Sequence, residues 1–115
     1  RPAIMSNIKF LYESGVIIAA GTDRSMGPMM HQEMKILVEA GIPPIDVIRT
    51  ATLNAAMYIG VEAQLGSIET GKLADMVMLS ADPVANIENT TRIDSVYKGG
   101  KRIDRSTLDV PANKP

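Results

Sequence analysis

Val16-Ile17-Ile18-Ala19-Ala20-Gly21-Thr22-Asp23 decides the reading of this chain. Five apolar residues without a polar interruption predict a strand buried on both faces, as in parallel sheets. The run ends in a glycine and then a carboxylate. A carboxylate just past such a strand sits where α/β folds gather their chemistry, so Asp23 is the first candidate functional residue. Its local sequence leaves a second role open, the capping of the following turn or helix.

Composition narrows the field around that stretch. The 115 residues, 45% of them hydrophobic, suffice for one domain with a modest core. Twelve basic residues face thirteen acidic ones with no run of either sign, and there are three Tyr, one Phe and no Trp. Nucleic-acid binding through phosphate contacts or base stacking is not expected from such a surface. The absence of cysteine excludes disulfides and thiolate metal sites. No apolar stretch approaches the roughly 20 residues of a membrane helix, so no membrane partner is expected. The chain starts at Arg1 rather than Met, and the natural N-terminus is expected to lie elsewhere. The cytoplasm is the favoured compartment, although no residue decides it.

Outward from residues 16–23, periodicity sets the organisation. Ile4, Ile8 and Leu11, with Met5 and Tyr12 beside them, predict a helix that Gly15 caps. After a loop containing Gly27 and Pro28, Met30, Met34, Leu37 and Val38 mark one face of a second helix ending at Gly41. Pro44 suits the first turn of a third helical stretch, where Asp46 complements the positive end. Ile48, Ala51 or Thr52, Ala55 and Ile59 form its face, and Gly60 closes it. Beyond Gly60, Gly66-Ser67 and Thr70-Gly71-Lys72 are turn chemistry, and Met76-Val77-Met78-Leu79 predicts a strand. Asp82-Pro83 ends that strand and opens a polar loop with one helical turn. Segments 93–98 and 101–103 then flank Gly99-Gly100 as a hairpin. The fold class is thus α/β followed by a small β-rich piece.

Five stretches together resemble the amidohydrolase superfamily, most closely its imidazolonepropionase and prolidase-like branch. They are Gly21-Thr22-Asp23, then Glu33 with Leu37-Val38-Glu39-Ala40-Gly41, then Ala51-Thr52-Leu53-Asn54-Ala55-Ala56, then 65–75 (LGSIETGKLAD), and Val96-Tyr97-Lys98-Gly99-Gly100-Lys101. They stand in the family's own order and spacing over nearly the whole chain. The resemblance implies the C-terminal third of a (β/α)₈ barrel enzyme with a composite β-sandwich. Residues 1–62 would be the end of the barrel, with 2–14 its seventh helix, 16–20 its eighth strand and 29–59 the helices after it. Residues 63–105 would be the C-terminal share of the sandwich, and 106–115 a flexible tail.

The resemblance also implies roles. Asp23 matches the aspartate that ends the eighth strand, binds a divalent metal (zinc by expectation) and takes a proton from the attacking water. A metal lowers the pKa of bound water towards about 7, and a carboxylate beside it can pass the proton to a leaving amine. The family's other ligands are a His-x-His pair on the first strand, a lysine or glutamate on the fourth, and histidines on the fifth and sixth. All fall on strands this sequence does not contain. One histidine and one carboxylate fall short of the three protein ligands usual at a catalytic zinc, so the chain alone is expected neither to retain the metal nor to be active. Two further residues are substrate-binding candidates. Arg24 has a planar fork suited to a carboxylate, with a loop salt bridge as its alternative. His31 stands just after the active-site loop, with a solvated first-turn position as its alternative.

Met26, Met29, Met30 and Met34 are expected to fill core rather than line a pocket. Asp75 is expected to tie down a turn, and Asn54 to satisfy a neighbouring loop. The leading expectation is therefore part of a metal-dependent amidohydrolase acting on non-peptide or dipeptide C–N bonds. Its partners would be a small amide or dipeptide substrate, the missing N-terminal barrel portion, and further copies of the chain as a homo-oligomer. The competing expectation is a non-catalytic, self-associating α/β module with a binding or assembly role, because an unpaired apolar strand recruits other chains.

Overall fold

Residues 2–22 and 28–107 are described by the computed structural model. Four helices come first, α1 (Pro2–Glu13), α2 (Pro28–Glu39), α3 (Pro44–Thr50) and α4 (Leu53–Ile59). Three strands follow, β1 (Met76–Leu79), β2 (Ile93–Lys98) and β3 (Lys101–Arg102), with 3₁₀ turns at Ile87–Thr91 and Arg105–Thr107. Most of the predicted elements form where their periodicity put them.

The core is built by α2 and α3 and the turn between them. Met34 and Leu37 of α2, Ile42, and Val47 of α3 are buried together with Ile87 from the first 3₁₀ turn. Ile42 and Val47 are almost wholly enclosed, at 1% and 0% exposure. Helix α1 packs against this cluster through Ile8 and Tyr12 but buries no residue fully. Its Tyr12 hydroxyl donates to the Asp46 carboxylate of α3, which fixes the two helices side by side. At the end of α1, Gly15 adopts φ +84°, a conformation that costs glycine least. The N–H groups of Gly15 and Val16 reach back to Tyr12 and Leu11 carbonyls at 3.1 Å each, closing the helix.

Two predicted elements are corrected. The single helical stretch from Pro44 to Ile59 is broken at Ala51-Thr52, giving α3 and α4. Threonine hydroxyls supply the reason, competing with the backbone for carbonyls of α3 just before the break. Thr50 Oγ1 donates to Val47 C=O at 2.5 Å, and Thr52 Oγ1 to Ile48 C=O at 2.8 Å. Ala56 is the residue α4 buries, while Ile59 is 75% exposed.

The larger correction concerns residues 16–20, which carry no strand pairing. A parallel strand needs neighbours brought in by crossover connections, and the sequence around this run places none beside it. Its backbone is held by the helical layer instead. Ala20 N–H donates to Thr50 C=O at 2.9 Å, Asn54 Nδ2 to Ile18 C=O at 3.0 Å, and Tyr58 Oη to Ile17 C=O at 2.5 Å. Ile18 and Ala20 pack on the core, but Val16 and Ile17 are each 46% exposed. The run is buried on one side, not two.

The sheet is antiparallel, in the order β1-β2-β3. Met76, Val77 and Met78 pair with Tyr97, Val96 and Ser95, and the register shifts before Leu79 pairs with Ile93. Asp75 Oδ1 accepts the Gly99 N–H at 2.8 Å, so it ties down the hairpin turn as expected. The 66–72 turn lies against α4. A Cβ on Gly66, whose φ is +100°, would stand 2.8 Å from Ala56 Cβ and 3.0 Å from Leu53 Cα. Only glycine allows that approach.

Candidate functional site

The approach to the candidate carboxylate is well defined. Residues 17, 18 and 20 are pinned from α3 and α4 by the three hydrogen bonds above, and the chain then runs through Gly21 and Thr22. Asp23 and Arg24 themselves lie outside the described residues, as does Met26.

Beyond residues 23–27, His31 occupies the first turns of α2 and is half-buried rather than solvated. Its Nδ1 is 2.9 Å from Thr90 Oγ1, and Thr90 in turn donates its hydroxyl proton to Ile87 C=O at 3.0 Å. With the Thr90 proton on Ile87 C=O, the contact is an Nδ1–H of His31 donating to Thr90 Oγ1; with it turned to His31, Nδ1 accepts. Burial holds the His31 pKa below its ordinary value, which favours the neutral ring near pH 7. One turn along α2, Lys35 Nζ meets Glu88 Oε1 at 2.9 Å. The helix is thus fastened to the 3₁₀ turn at two points.

Another polar group could be mistaken for a catalytic pair. Lys72 Nζ lies 2.6 Å from Ser67 Oγ, a contact that elsewhere marks an activated serine. Here Lys72 is ion-paired with Glu69 at 3.0 Å, and Ser67 donates to that same carboxylate. The hydrogen bond from Ser67, then that from Lys72, holds the Glu69 carboxyl below its usual range. This arrangement braces a turn.

Thr50, Tyr58 and Thr90 were not singled out from the sequence. A signal for Tyr58 exists in its spacing, since it follows Asn54 by four residues and so shares its helix face. Of the methionines assigned to core, Met34 is buried and Met30 packs beside it.

Comparison with known proteins decides the family. The Amidohydrolase family profile matches residues 4–103. This chain belongs to the amidohydrolase family. It is 32% identical over 104 residues to the imidazolonepropionase of Shouchella clausii, covering 84% of this chain and 23% of that protein. It is 35% identical over 94 residues to the ochratoxinase of Aspergillus niger, covering 77% of this chain and 20% of that protein. Among solved structures it superimposes on a Xaa-Pro dipeptidase with bound methionine in the active site. The TM-score is 0.81 at 36% identity, over 89% of this chain and 26% of that one. The chain therefore spans about a quarter of the length of the relatives it matches.

The family is generally metal-dependent. Among the described residues, no group of three or more His, Cys, Asp or Glu side chains is placed to hold a metal ion. The whole sequence contains one histidine, with one ring nitrogen bonded to Thr90, and no cysteine. The donors among the described residues do not by themselves fit a catalytic metal.

Proposed function

We propose that this chain is the C-terminal portion of a metal-dependent amidohydrolase that cleaves a C–N bond in a small amide or dipeptide. The observation that carries the reading is the match from residue 4 to residue 103, over about a quarter of each relative. In this reading residues 16–20, unpaired in this chain, become the last barrel strand only beside the rest of the barrel, and 63–105 belong to a composite β-sandwich. Asp23 is the carboxylate contributed to the metal centre, as ligand and proton shuttle, and zinc is the metal expected there. The remaining ligands come from residues outside this chain, and residues 1–115 alone are inactive. Arg24 and His31 are the residues proposed to meet the substrate.

The test compares residues 1–115 with the full-length gene product against a panel of dipeptides and cyclic amides. Turnover is expected only from the full-length product, and Asp23→Asn is expected to lower it by about 10²–10⁴-fold. Turnover with stoichiometric bound zinc from residues 1–115 alone would overturn the reading.

A second reading, a self-associating module, is favoured by one observation. Ile4 and Phe10 of α1 are 62% and 67% exposed, and Val16 and Ile17 lie exposed next in sequence. We infer that the isolated chain forms oligomers through this surface. Light scattering that shows a monomer at high concentration would exclude it.

A further inference from the structure

We propose that Thr90 is a positioning residue for His31, holding its ring by Nδ1 so that Nε2 is the atom offered to a substrate; this rests on the reading of His31 as a substrate contact given above. His31 stands three residues before the buried Met34 and four before the exposed Lys35. Residues at these spacings are neighbours on a helix surface, so the ring lies at the rim of the core-facing side of α2. There it is half-buried, with Nδ1 2.9 Å from Thr90 Oγ1. Nε2 makes no hydrogen bond to any described residue. No buried side-chain nitrogen among those residues lacks a partner, so Nε2 is open to solvent. One nitrogen anchored and the other open is the arrangement by which a protein aims a histidine.

The anchor is itself fixed. Thr90 is 8% exposed, and its hydroxyl is 3.0 Å from the carbonyl of Ile87, a member of the core. Asn86 caps the same 3₁₀ turn by accepting the Glu88 N–H at 3.0 Å, and Asn89 Nδ2 donates to Asp82 C=O at 2.8 Å. Thr90 Oγ1 therefore has a defined place, although it comes from a turn 59 residues away in sequence. Lys35 and Glu88 clamp the same helix to the same turn, through side chains 50% and 59% exposed. That pair sets the spacing of helix and turn. Among the described residues, Thr90 alone hydrogen-bonds the ring.

A methyl in place of the Thr90 hydroxyl keeps the shape of the site and frees the ring to turn about its side-chain bonds. A substrate must then order the ring as it binds, which weakens binding. A group that holds substrate and transition state alike acts on KM and leaves kcat in place.

The experiment uses the full-length gene product on the panel of dipeptides and cyclic amides, with the His31 ring nitrogen shifts read by NMR. Thr90→Val is expected to raise KM about fivefold with kcat within about twofold of wild type. Thr90→Ser keeps the hydroxyl and should restore KM. His31→Asn keeps an amide at the place of Nδ1 and deletes Nε2, and should raise KM about tenfold. Lys35→Met, which removes the other clamp, should leave KM at the wild-type value. The wild-type ring should show one dominant tautomer, and the ring in Thr90→Val a mixture of both.

A KM raised equally by Lys35→Met would assign the effect to a loosened helix and overturn the proposal. So would an unchanged KM in Thr90→Val beside a raised one in His31→Asn, an outcome that leaves the substrate contact standing. An unchanged KM in His31→Asn would sink the substrate contact and the positioning role with it. If Thr90→Val does not fold, the wild-type ring decides, because a mixture of tautomers there would overturn the anchoring by Thr90. A wild type without turnover would count against the amidohydrolase reading, and the same ring shifts would still judge the anchor.

Discussion

Val16–Ala20 and Met76–Leu79 are both short, uninterrupted apolar runs, yet only the second becomes a strand. The second has its partner nearby in sequence. β2 and β3 meet through a turn at Gly99-Gly100, and β1 joins them antiparallel with Asp75 fastened to that turn. The first would belong to a parallel arrangement, whose partners arrive only through long crossovers. It settles for side chains and one carbonyl from α3 and α4. An apolar run therefore specifies burial, and a partner specifies the strand.

That contrast can be broken or sharpened by substitution. The largest expected effect is Ile42→Ala, which opens a cavity in the core on which Ile18 and Ala20 lie. A loss of about 2–5 kcal/mol is expected by urea denaturation, with the 16–20 segment loosened before the sheet. Gly66→Val comes next, because it meets both an unfavourable φ of +100° and the atoms of α4. A loss of about 1–3 kcal/mol is expected. Gly100→Val, at φ +82° but in more open surroundings, should cost about 1–2 kcal/mol and weaken only the β2–β3 hairpin. Cross-strand NMR contacts would report it, and their persistence would argue that β1 alone holds the sheet.

The smallest effect is a dependence on pH. Folding favours the uncharged ring of His31, whose ordinary pKa is 6.5, so the unfolded chain takes up the proton first. Stability should be complete above pH 6.5 and decline below it, until the folded protein also protonates. His31→Gln keeps a donor for Thr90 and removes the titration, so thermal melts of this variant should lose that share of the acid sensitivity. An unchanged acid profile would assign it to other groups.

The contrast also explains what could be read in advance. Helical periodicity located α1 and α2, and the paired glycines located the hairpin, because those signals are local. Asp75 was legible because a carboxylate before a strand meets turn N–H groups. The break at Ala51-Thr52 was not, since it depends on which carbonyl each threonine hydroxyl takes. Asn54 was readable as a donor to a loop, but Ile18 as its acceptor required the tertiary arrangement. His31 read as a surface residue because Thr90, on which its tautomer depends, lies far away in sequence. Asp23 is a candidate by its place after an apolar run and Arg24 by its planar fork, while the metal-binding role of Asp23 comes from resemblance.

Ile87 has a consequence for the order in which the molecule can be made. It closes a core whose other members all lie at or before Val47, so the helices leave the ribosome before the side chain that completes their packing. Until β1 and the turn behind it have been synthesised, Leu37, Ile42 and Val47 have nothing of their own chain to finish the enclosure. During that interval the nascent helices are a natural client for a chaperone that grips apolar surface.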